Sequence, residues 1–241
     1  SSEKLYDWEL GYQYTAPRLS LGVNLYYMKY KDQLVPTGMV NDDSNALNTN
    51  VPDSYRRGVE LSASWRATGW FTVGANATFS QNRIENYVDA LKDSPTYGKE
   101  LSDMTIAYSP DVIANAFLNF HHRGFEAVFH TQHVGKQYFT NNENDALSLD
   151  AYCVTNLNLA YTFCTRSARS VRLGLLINNL FNAEYESNGY GYSYMERTRA
   201  RTHRRGLLLP AGAAERAGER HGEILKRAIS TSLKPNFSSE N

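Results

Sequence analysis

The feature that most constrains the fold is an alternation of apolar and polar residues that recurs along the chain. It is clearest near residues 170–194, where the apolar positions are Val171, Leu173, Leu175 and Ile177. The positions between and after them are Arg172, Gly174, Leu176 and Asn178. A period of two places each set on its own face of a β-strand. The segment therefore predicts a strand with one mostly apolar face that runs into an aromatic and glycine-rich stretch.

The same pattern recurs upstream and predicts about nine or ten antiparallel strands. The eight strands whose bounds are clearest cover residues 6–14, 19–35, 59–66, 71–80, 112–120, 125–139, 155–163 and 171–178. Short turns at 15–18, 68–69, 123–124 and 165–169 alternate with polar loops at 36–52, 86–108 and 140–145. A sandwich has no reason to place its long loops at one end, whereas an outer-membrane barrel does. The prediction is an all-β fold, part of an antiparallel transmembrane β-barrel.

Strand length and aromatic residues agree with a membrane wall. The strand from residue 19 to 35 exceeds the usual length of about 5–6 residues. Aromatic residues near strand ends fit interfacial girdles: Tyr26, Tyr27, Tyr30, Trp65, Trp70, Phe71 and Phe79. No apolar run approaches the roughly 20 residues of a membrane-spanning helix. The net charge of zero gives no general argument for nucleic acid or for anionic lipid as a partner.

Four segments resemble the C-terminal barrel of TonB-dependent outer-membrane receptors, especially the iron-receptor type of Bacteroidetes-like bacteria. They are NLYYMKYKDQLV at 24–35, SYRRGVEL at 54–61, GKQY at 135–138 and NNLFNAEY at 178–185. The resemblance covers roughly residues 5–194. It implies a barrel of about 22 strands with a plugged lumen, in the outer membrane of a Gram-negative bacterium. The partners that it implies are outer-membrane lipid, a plug domain, the TonB system and a small scarce ligand.

The ligand class implied is a ferric siderophore, haem or cobalamin, and the plug and TonB-contacting segment lie N-terminal in the family. We therefore expect a fragment of a receptor and transporter. One alternative is a plug-free porin or adhesin-type barrel, which an upstream plug domain in the full gene would exclude. A second alternative is a soluble β-sandwich binding module, which partition into detergent would exclude.

Polar residues on the alternate phase of the strands are candidates for the barrel lumen. The set is Glu60, Ser62, Ser64, Arg66, Asn76, Thr78, His130, Asn156, Asn158 and Arg172. These side chains also fit a simpler role, in which they form hydrogen bonds with water in the lumen and contact no ligand. The loops at 41–50 and 140–145 are candidates for ligand contact, with solvated loop as the simpler interpretation. No residue is assigned to a ligand.

Catalytic, metal and cofactor sites have no sequence support. There is no glycine-rich phosphate loop, nucleophile elbow or metal-spaced cluster, so an enzyme is not expected. His130 and His133 lie three residues apart, which places them on opposite faces of a strand. Cys153 and Cys164 lie at the two ends of one predicted strand, about 36 Å apart, which excludes a disulfide.

The composition changes after Met195, to a segment rich in Arg, Ala, Gly and Glu. We therefore divide the chain into a barrel part, residues 1–195, and a non-barrel tail, residues 196–241. The stretch 213–229 fits a short amphipathic helix. The tail lacks the interleaved aromatic residues of a nucleic-acid-binding segment, so no nucleic-acid partner is expected.

We hypothesise that a frameshift near Met195 produced this tail, because the expected closing strand with a terminal aromatic residue is replaced by unrelated composition. Sequencing of the locus in independent isolates tests this hypothesis. A tail that is kept in frame across isolates would contradict it.

Overall fold

The computed structural model describes residues 2–40, 46–89, 94–165, 169–195 and 202–210. Apart from one 3-10 turn at Asp145–Leu147, the regular structure in these residues is β-strand. The strands are β1 (Lys4–Thr15), β2 (Leu19–Val40), β3 (Ala46–Arg66), β4 (Phe71–Val88), β5 (Glu100–Thr105), β6 (Val112–His122), β7 (Phe125–Val134), β8 (Gln137–Tyr138), β9 (Ser148–Leu149), β10 (Tyr152–Phe163), β11 (Val171–Ile177), β12 (Glu186–Met195) and β13 (Thr202–Pro210). In these residues no helix is long and apolar enough to cross a membrane.

One antiparallel sheet of nine strands organises the chain. Its main path is β1-β2-β3-β4-β6-β7-β10-β11, and β5 pairs with the far end of β4. Neighbours in space are neighbours in sequence except where β5, β8 and β9 intervene, so the sheet is a meander. The predicted all-β antiparallel architecture is confirmed.

Short turns join strands at one end of the sheet, as the sequence predicts. β6 and β7 are joined by Arg123 and Gly124, whose φ angles are 49° and 82°. Two successive residues with positive φ are the requirement of the type I′ hairpin turn, which matches the twist of the strands. A Cβ at Gly124 would also collide with the carbonyl group of Thr162 on β10. The turn therefore needs glycine for both conformation and space.

The predicted loops at the other end contain more strand than the sequence suggests. β2 continues to Val40 and β3 already begins at Ala46, so most of the predicted loop at 36–52 is a paired hairpin. The predicted loop at 86–108 contains the end of β4 and all of β5. The loop prediction rested on polar composition and was wrong there, because paired β-strands outside a membrane can carry polar side chains on both faces.

Two strand predictions also need correction. The predicted strand at 125–139 ends at Val134, and Gln137–Tyr138 forms a separate ladder with Ser148–Leu149. The segment after β11 turns through Asn179 and Asn182, both with positive φ, before β12 starts. Residues 170–194 therefore form two strands in two different sheets rather than one wall strand with a loop.

Part of the tail is also paired. β13 lies antiparallel to β12 in a two-stranded sheet that is separate from the nine-stranded sheet. The proposed division at residue 195 stays a prediction. The expected helix at 213–229 lies outside the described residues.

The nine-stranded sheet is open at both edges. Among the described residues, β1 pairs with β2 alone and β11 pairs with β10 alone. Each edge presents backbone N–H and C=O groups without a ladder partner, and each such group costs several kcal/mol in hydrocarbon. The sheet therefore needs further strands to close in a bilayer.

We predict that the 241-residue chain by itself neither inserts stably into membranes nor transports. The measurement is insertion of the refolded chain into liposomes, combined with its migration on gels before and after heating. Heat-modifiable migration of liposome-inserted chain would contradict the prediction.

Candidate functional site

The register places all ten candidate lumen residues on the same face of the nine-stranded sheet, because residues directly opposite each other in a sheet point to the same side. Glu60 lies opposite Thr78, and Ser62 lies opposite Asn76. His130 lies opposite Asn156. The shared face, which we call the polar face, carries Glu60, Ser62, Ser64, Arg66, Asn76, Thr78, His130, Asn156, Asn158 and Arg172.

Hydrogen bonds between strands join several of these side chains to residues that the sequence did not single out. Asn24 Nδ2 donates to Glu60 Oε2 at 3.3 Å, and Asn115 Nδ2 donates to Asn76 Oδ1 at 3.1 Å. Arg172 Nη2 pairs with Glu126 Oε2 at 2.7 Å across the intervening strand β10. The alternation along each strand predicts that these partners also lie on the polar face. Only the register between strands shows which residues contact each other.

A wide concavity on the polar face spans the first four strands. Its volume is about 680 Å³. Its polar lining includes Glu9, Gln13, Asn24, Glu60, Ser62 and Asn76. Gly22 keeps part of it open, since a Cβ there would lie 2.5 Å from Ser62 Oγ. The lining offers carboxylate, amide and hydroxyl groups, which suits hydrogen bonding to a polar partner or water rather than proton transfer or metal binding.

The opposite face, which we call the apolar face, is exposed although it carries large hydrophobic side chains. Leu10 is 71% exposed, Tyr12 68% and Leu173 61%. Leu61 and Leu175 are also exposed on this face. A soluble sandwich would bury such a face against a second sheet, whereas these large side chains are exposed. This exposure therefore argues against the sandwich and for a lipid-facing surface.

Aromatic side chains border the apolar face at both ends. Toward the long connections, Trp8 packs on Tyr27 with ring centroids 5.8 Å apart, and Tyr27 stacks on Tyr55 at 6.4 Å. Toward the short turns, Phe71 stacks on Phe120 at 4.7 Å, beside Trp70. Along β2, Tyr27 lies eight residue steps from Leu19, which is opposite Trp65, and this distance is about 26 Å. That length matches the apolar band of outer-membrane barrels, about 25 Å tall.

Beyond the aromatic border at the long-connection end, the alternation of side chains between the two faces is interrupted. Asp32 has a φ of 55°. The side chain of the next residue, Gln33, accepts a hydrogen bond from Ser54, whose Oγ lies 2.5 Å from Gln33 Oε1. Val35 and Val51 are buried there against Ile84, Tyr87 and Ile106. The ends of β2, β3 and β4 thus build a small hydrophobic core together with β5. We call this core and the segment 135–149 above it the cap.

The segment 135–149 is packed onto the strand ends rather than solvated throughout. Asn141 is fully buried: its Oδ1 accepts from the N–H of Ala107 at 2.7 Å, and its Nδ2 donates to the carbonyl of Pro36 at 2.8 Å. Glu143 pairs with Arg83 at 2.6 Å and accepts from the N–H of Thr105. The simpler interpretation of 140–145 as a solvated loop is therefore wrong for Thr140 and Asn141, which are both buried.

The packing limits which loop residues are available to a ligand. Of the candidate loop 41–50, residues 41–45 lie outside the described residues, and Asn48 to Asn50 are paired in β3. Both the oxygen and the nitrogen of the Asn141 side-chain amide form hydrogen bonds within the cap. Within 140–145, the exposed residue is Asp145, since Asn142, Glu143 and Asn144 are partly buried.

Asp145 forms an exposed pair with Lys136. The hydrogen bond from Lys136 holds the pKa of the Asp145 carboxyl below its ordinary value, and the same bond raises the pKa of Lys136. The stabilising charge on Asp145 is therefore present above the ordinary carboxyl pKa of about 3.9 and is lost as the pH falls through the depressed value. Because both groups are solvent-accessible, the pair fixes the local geometry more than it stabilises the fold.

The histidines and cysteines form no site in the described residues. His130 and His133 lie on opposite faces of β7, as the spacing predicts. Cys153 and Cys164 are both free and exposed. In the same residues, no group of three or more His, Cys, Asp or Glu side chains is placed to hold a metal ion.

A family model described as "TonB dependent receptor-like, beta-barrel" matches residues 1–180. This chain belongs to that family. It is accordingly an outer-membrane protein of a Gram-negative bacterium, in a family of transport receptors rather than enzymes. A comparison with curated protein sequences finds no match.

Solved structures with the same fold are receptors and transporters. The ferric yersiniabactin uptake receptor FyuA from Yersinia pestis aligns with a TM-score of 0.55 and 19% identity, over 85% of this chain and 28% of its own. The FrpB iron transporter from Neisseria meningitidis aligns with a TM-score of 0.56 and 19% identity, over 88% and 29%. The copper transporter OprC gives 0.57 and 23%, over 76% and 26%. The chain thus spans less than a third of the length of these proteins.

We predict opposite outcomes for arginine at two adjacent positions of β3. Leu61→Arg places a charge on the apolar face, where arginine costs about 2–4 kcal/mol near the bilayer midplane. Ser62→Arg is the matched control, since its side chain faces the wide concavity. The measurement is the amount of heat-modifiable protein in outer membranes, with the whole receptor expressed. Equal loss of assembly in both variants would contradict the assignment of the two faces.

Proposed function

We propose that this chain forms part of the barrel wall of an outer-membrane receptor that takes up a scarce ligand with energy derived from TonB. The observation that carries the proposal is the wall itself. One antiparallel sheet has an exposed apolar face and a polar face, short turns at one end and a packed cap at the other. The family to which the chain belongs supplies the transport context.

The ligand that we propose is a ferric siderophore, haem or cobalamin. The support is the names of structural relatives, which include a ferric yersiniabactin uptake receptor and an iron transporter. A copper transporter among these relatives shows that the fold also serves other metals.

We place the polar face toward the lumen. The ten residues named above then line the water-filled side of the wall, and the wide concavity near Glu60 and Asn76 faces the plug domain. Supporting this orientation, Asn24, Glu60, Asn76 and Asn115 pair with each other across strands, which satisfies part of their hydrogen-bonding capacity inside a wet lumen. The plug and the TonB system are the partners of the whole receptor in this proposal.

We also propose that residues 1–195 are the barrel part and that residues 196–241 are a separate tail. The support is the change of composition after Met195 and the location of β13 in its own two-stranded sheet with β12.

The test is uptake by the native host. We expect deletion of the receptor gene to abolish growth on one ferric chelate as the sole iron source, while iron salts at high concentration restore growth. Loss of TonB function in cells that keep the receptor should give the same defect. Radiolabelled chelate measures the uptake directly.

The control is permeation of small hydrophilic solutes, which a plugged barrel should not support. Solute entry that persists without TonB would contradict the proposal and favour a plug-free porin. Unchanged uptake of every ferric chelate, haem and cobalamin after deletion would contradict the proposed ligand class.

A further inference from the structure

Side chains complete the outer edge of β5, where a neighbouring strand would otherwise lie. In the described part of the chain, β5 forms a ladder with β4 only. The N–H of Ile106 still points to β4 and donates to a carbonyl there at 3.0 Å. On the other side, the N–H of Thr105 donates to Glu143 Oε1 at 3.0 Å. The N–H of Ala107 donates to Asn141 Oδ1 at 2.7 Å. The segment 135–149, which we call the strap, therefore takes the place of a strand beside β5.

Asn141 also ties this edge to a strand on the far side of the cap. Its Nδ2 donates to the carbonyl of Pro36, in the last part of β2, at 2.8 Å. In the sheet, β2 and β5 are separated by β3 and β4, so the contact joins strand ends that are not neighbours. The Asn141 side chain is fully buried. One residue thus holds two distant parts of the cap together.

A second small core holds the strap against the cap. Phe139, Leu147 and Leu149 of the strap are buried together, and Tyr108 packs against them. The N–H of Tyr108 also donates to the carbonyl of Tyr138 at 2.8 Å. Lifting the strap would expose this core and leave the buried N–H groups beside β5 without partners. Each buried group that would be left unpaired favours the docked strap by about 5- to 150-fold.

The cap lies on the same side of the sheet as the polar face. Ser54 and Ile84 lie directly opposite each other, in the unbroken register that also pairs Glu60 with Thr78. Ser54 lies six residues from Glu60, an even number, so both side chains point to the same side of the strand. Ser54 and Ile84 are fully buried, and Ile84 belongs to the core of the cap. The strap therefore docks on the side of the proposed lumen.

We propose that the strap is a fixed part of the external mouth and that Asn141 is the positioning residue that holds it there. The strap stays docked while ligand enters and does not act as a lid. Three observations carry this inference: the side-chain bonds that complete β5, the buried amide that also reaches β2, and the core beneath the strap. The passage of ligand beside the strap rests on the proposed function, whereas the docked state of the strap does not.

Hydrogen–deuterium exchange in the whole receptor, in detergent and without ligand, tests the docked state. In the unaltered receptor we expect the amides of Thr105 and Ala107 to exchange as slowly as those in the ladder between β3 and β4. Asn141→Ala should speed their exchange about 5- to 150-fold, the effect of one buried group left unpaired.

Asp145→Asn is the matched control, because it removes an exposed ion pair with Lys136 from the same segment. It should leave the exchange of Thr105 and Ala107 unchanged. Unprotected amides at these two positions in the unaltered receptor would overturn the proposal. Equal exchange in Asn141→Ala and Asp145→Asn would also overturn it.

A reversible disulfide tests whether the strap moves during uptake. Ser94→Cys and Asn142→Cys replace two side chains in contact, with Asn142 Nδ2 3.3 Å from Ser94 Oγ. Cys153→Ser and Cys164→Ser remove the two exposed thiols of this chain. The probe is the radiolabelled ferric chelate that the deletion experiment identifies. We expect equal uptake by the oxidised and the reduced form, because a fixed strap does not have to open.

Comparison of one variant in two redox states excludes effects of the substitutions themselves. Uptake that is lost on oxidation and restored on reduction would overturn the proposal, since the strap would then have to lift. If neither form nor the unaltered receptor takes up any chelate, the proposed receptor function fails instead. The exchange measurement still decides in that case whether the strap is fixed.

Discussion

Backbone hydrogen bonding between neighbouring strands is the interaction on which the rest of this structure depends. A strand that crosses hydrocarbon has no water to satisfy its N–H and C=O groups, so every group needs a partner on an adjacent strand. From β1 to β11 the antiparallel ladders supply these partners without a large hydrophobic core. Side chains are then free to differ between the two faces, because neither face has to hold the sheet together.

Because apolar and polar side chains alternate along its strands, the hydrogen-bonded sheet has one face suited to lipid and one face suited to water. On β3, Leu61 faces outward, whereas its neighbours Glu60 and Ser62 face the concavity. The large exposed hydrophobic residues would be a liability in water. They become favourable when acyl chains replace water, and the aromatic borders near Trp8 and Phe120 mark where that replacement ends. The same face therefore explains both the apparent lack of burial and the location in the outer membrane.

Along the strands the structure passes from membrane wall to packed cap. The change begins at Asp32, where a positive φ interrupts the alternation. Beyond it, Val35, Val51 and Ile84 are buried in a small hydrophobic core like those of soluble proteins. Asn141 then ties the segment 135–149 to two strand ends through its buried amide. Because an unpaired buried amide costs about 1–3 kcal/mol, this contact specifies how the segment docks on the wall.

Much of the fold followed from the sequence. A period of two fixes which residues share a face, so the membership of Glu60, Asn76 and Asn156 in one polar set was predictable from parity alone. The short turns were also predictable, because Arg123-Gly124 lies between two alternating runs. Loop composition was less informative, since the polar residues at 48–50 pair as readily as apolar ones once a partner strand is beside them.

Sequence by itself thus determined the class of structure, its two faces and its resemblance to a receptor barrel. Only the tertiary structure decided which polar residues meet, as in the Arg172–Glu126 pair, and which loop residues are buried, as with Asn141. It also decided that the guanidinium group of Arg57 lies over the ring of Tyr55. The physical reason is that facing depends on local periodicity, whereas pairing and docking depend on register and on contacts between residues far apart in the chain.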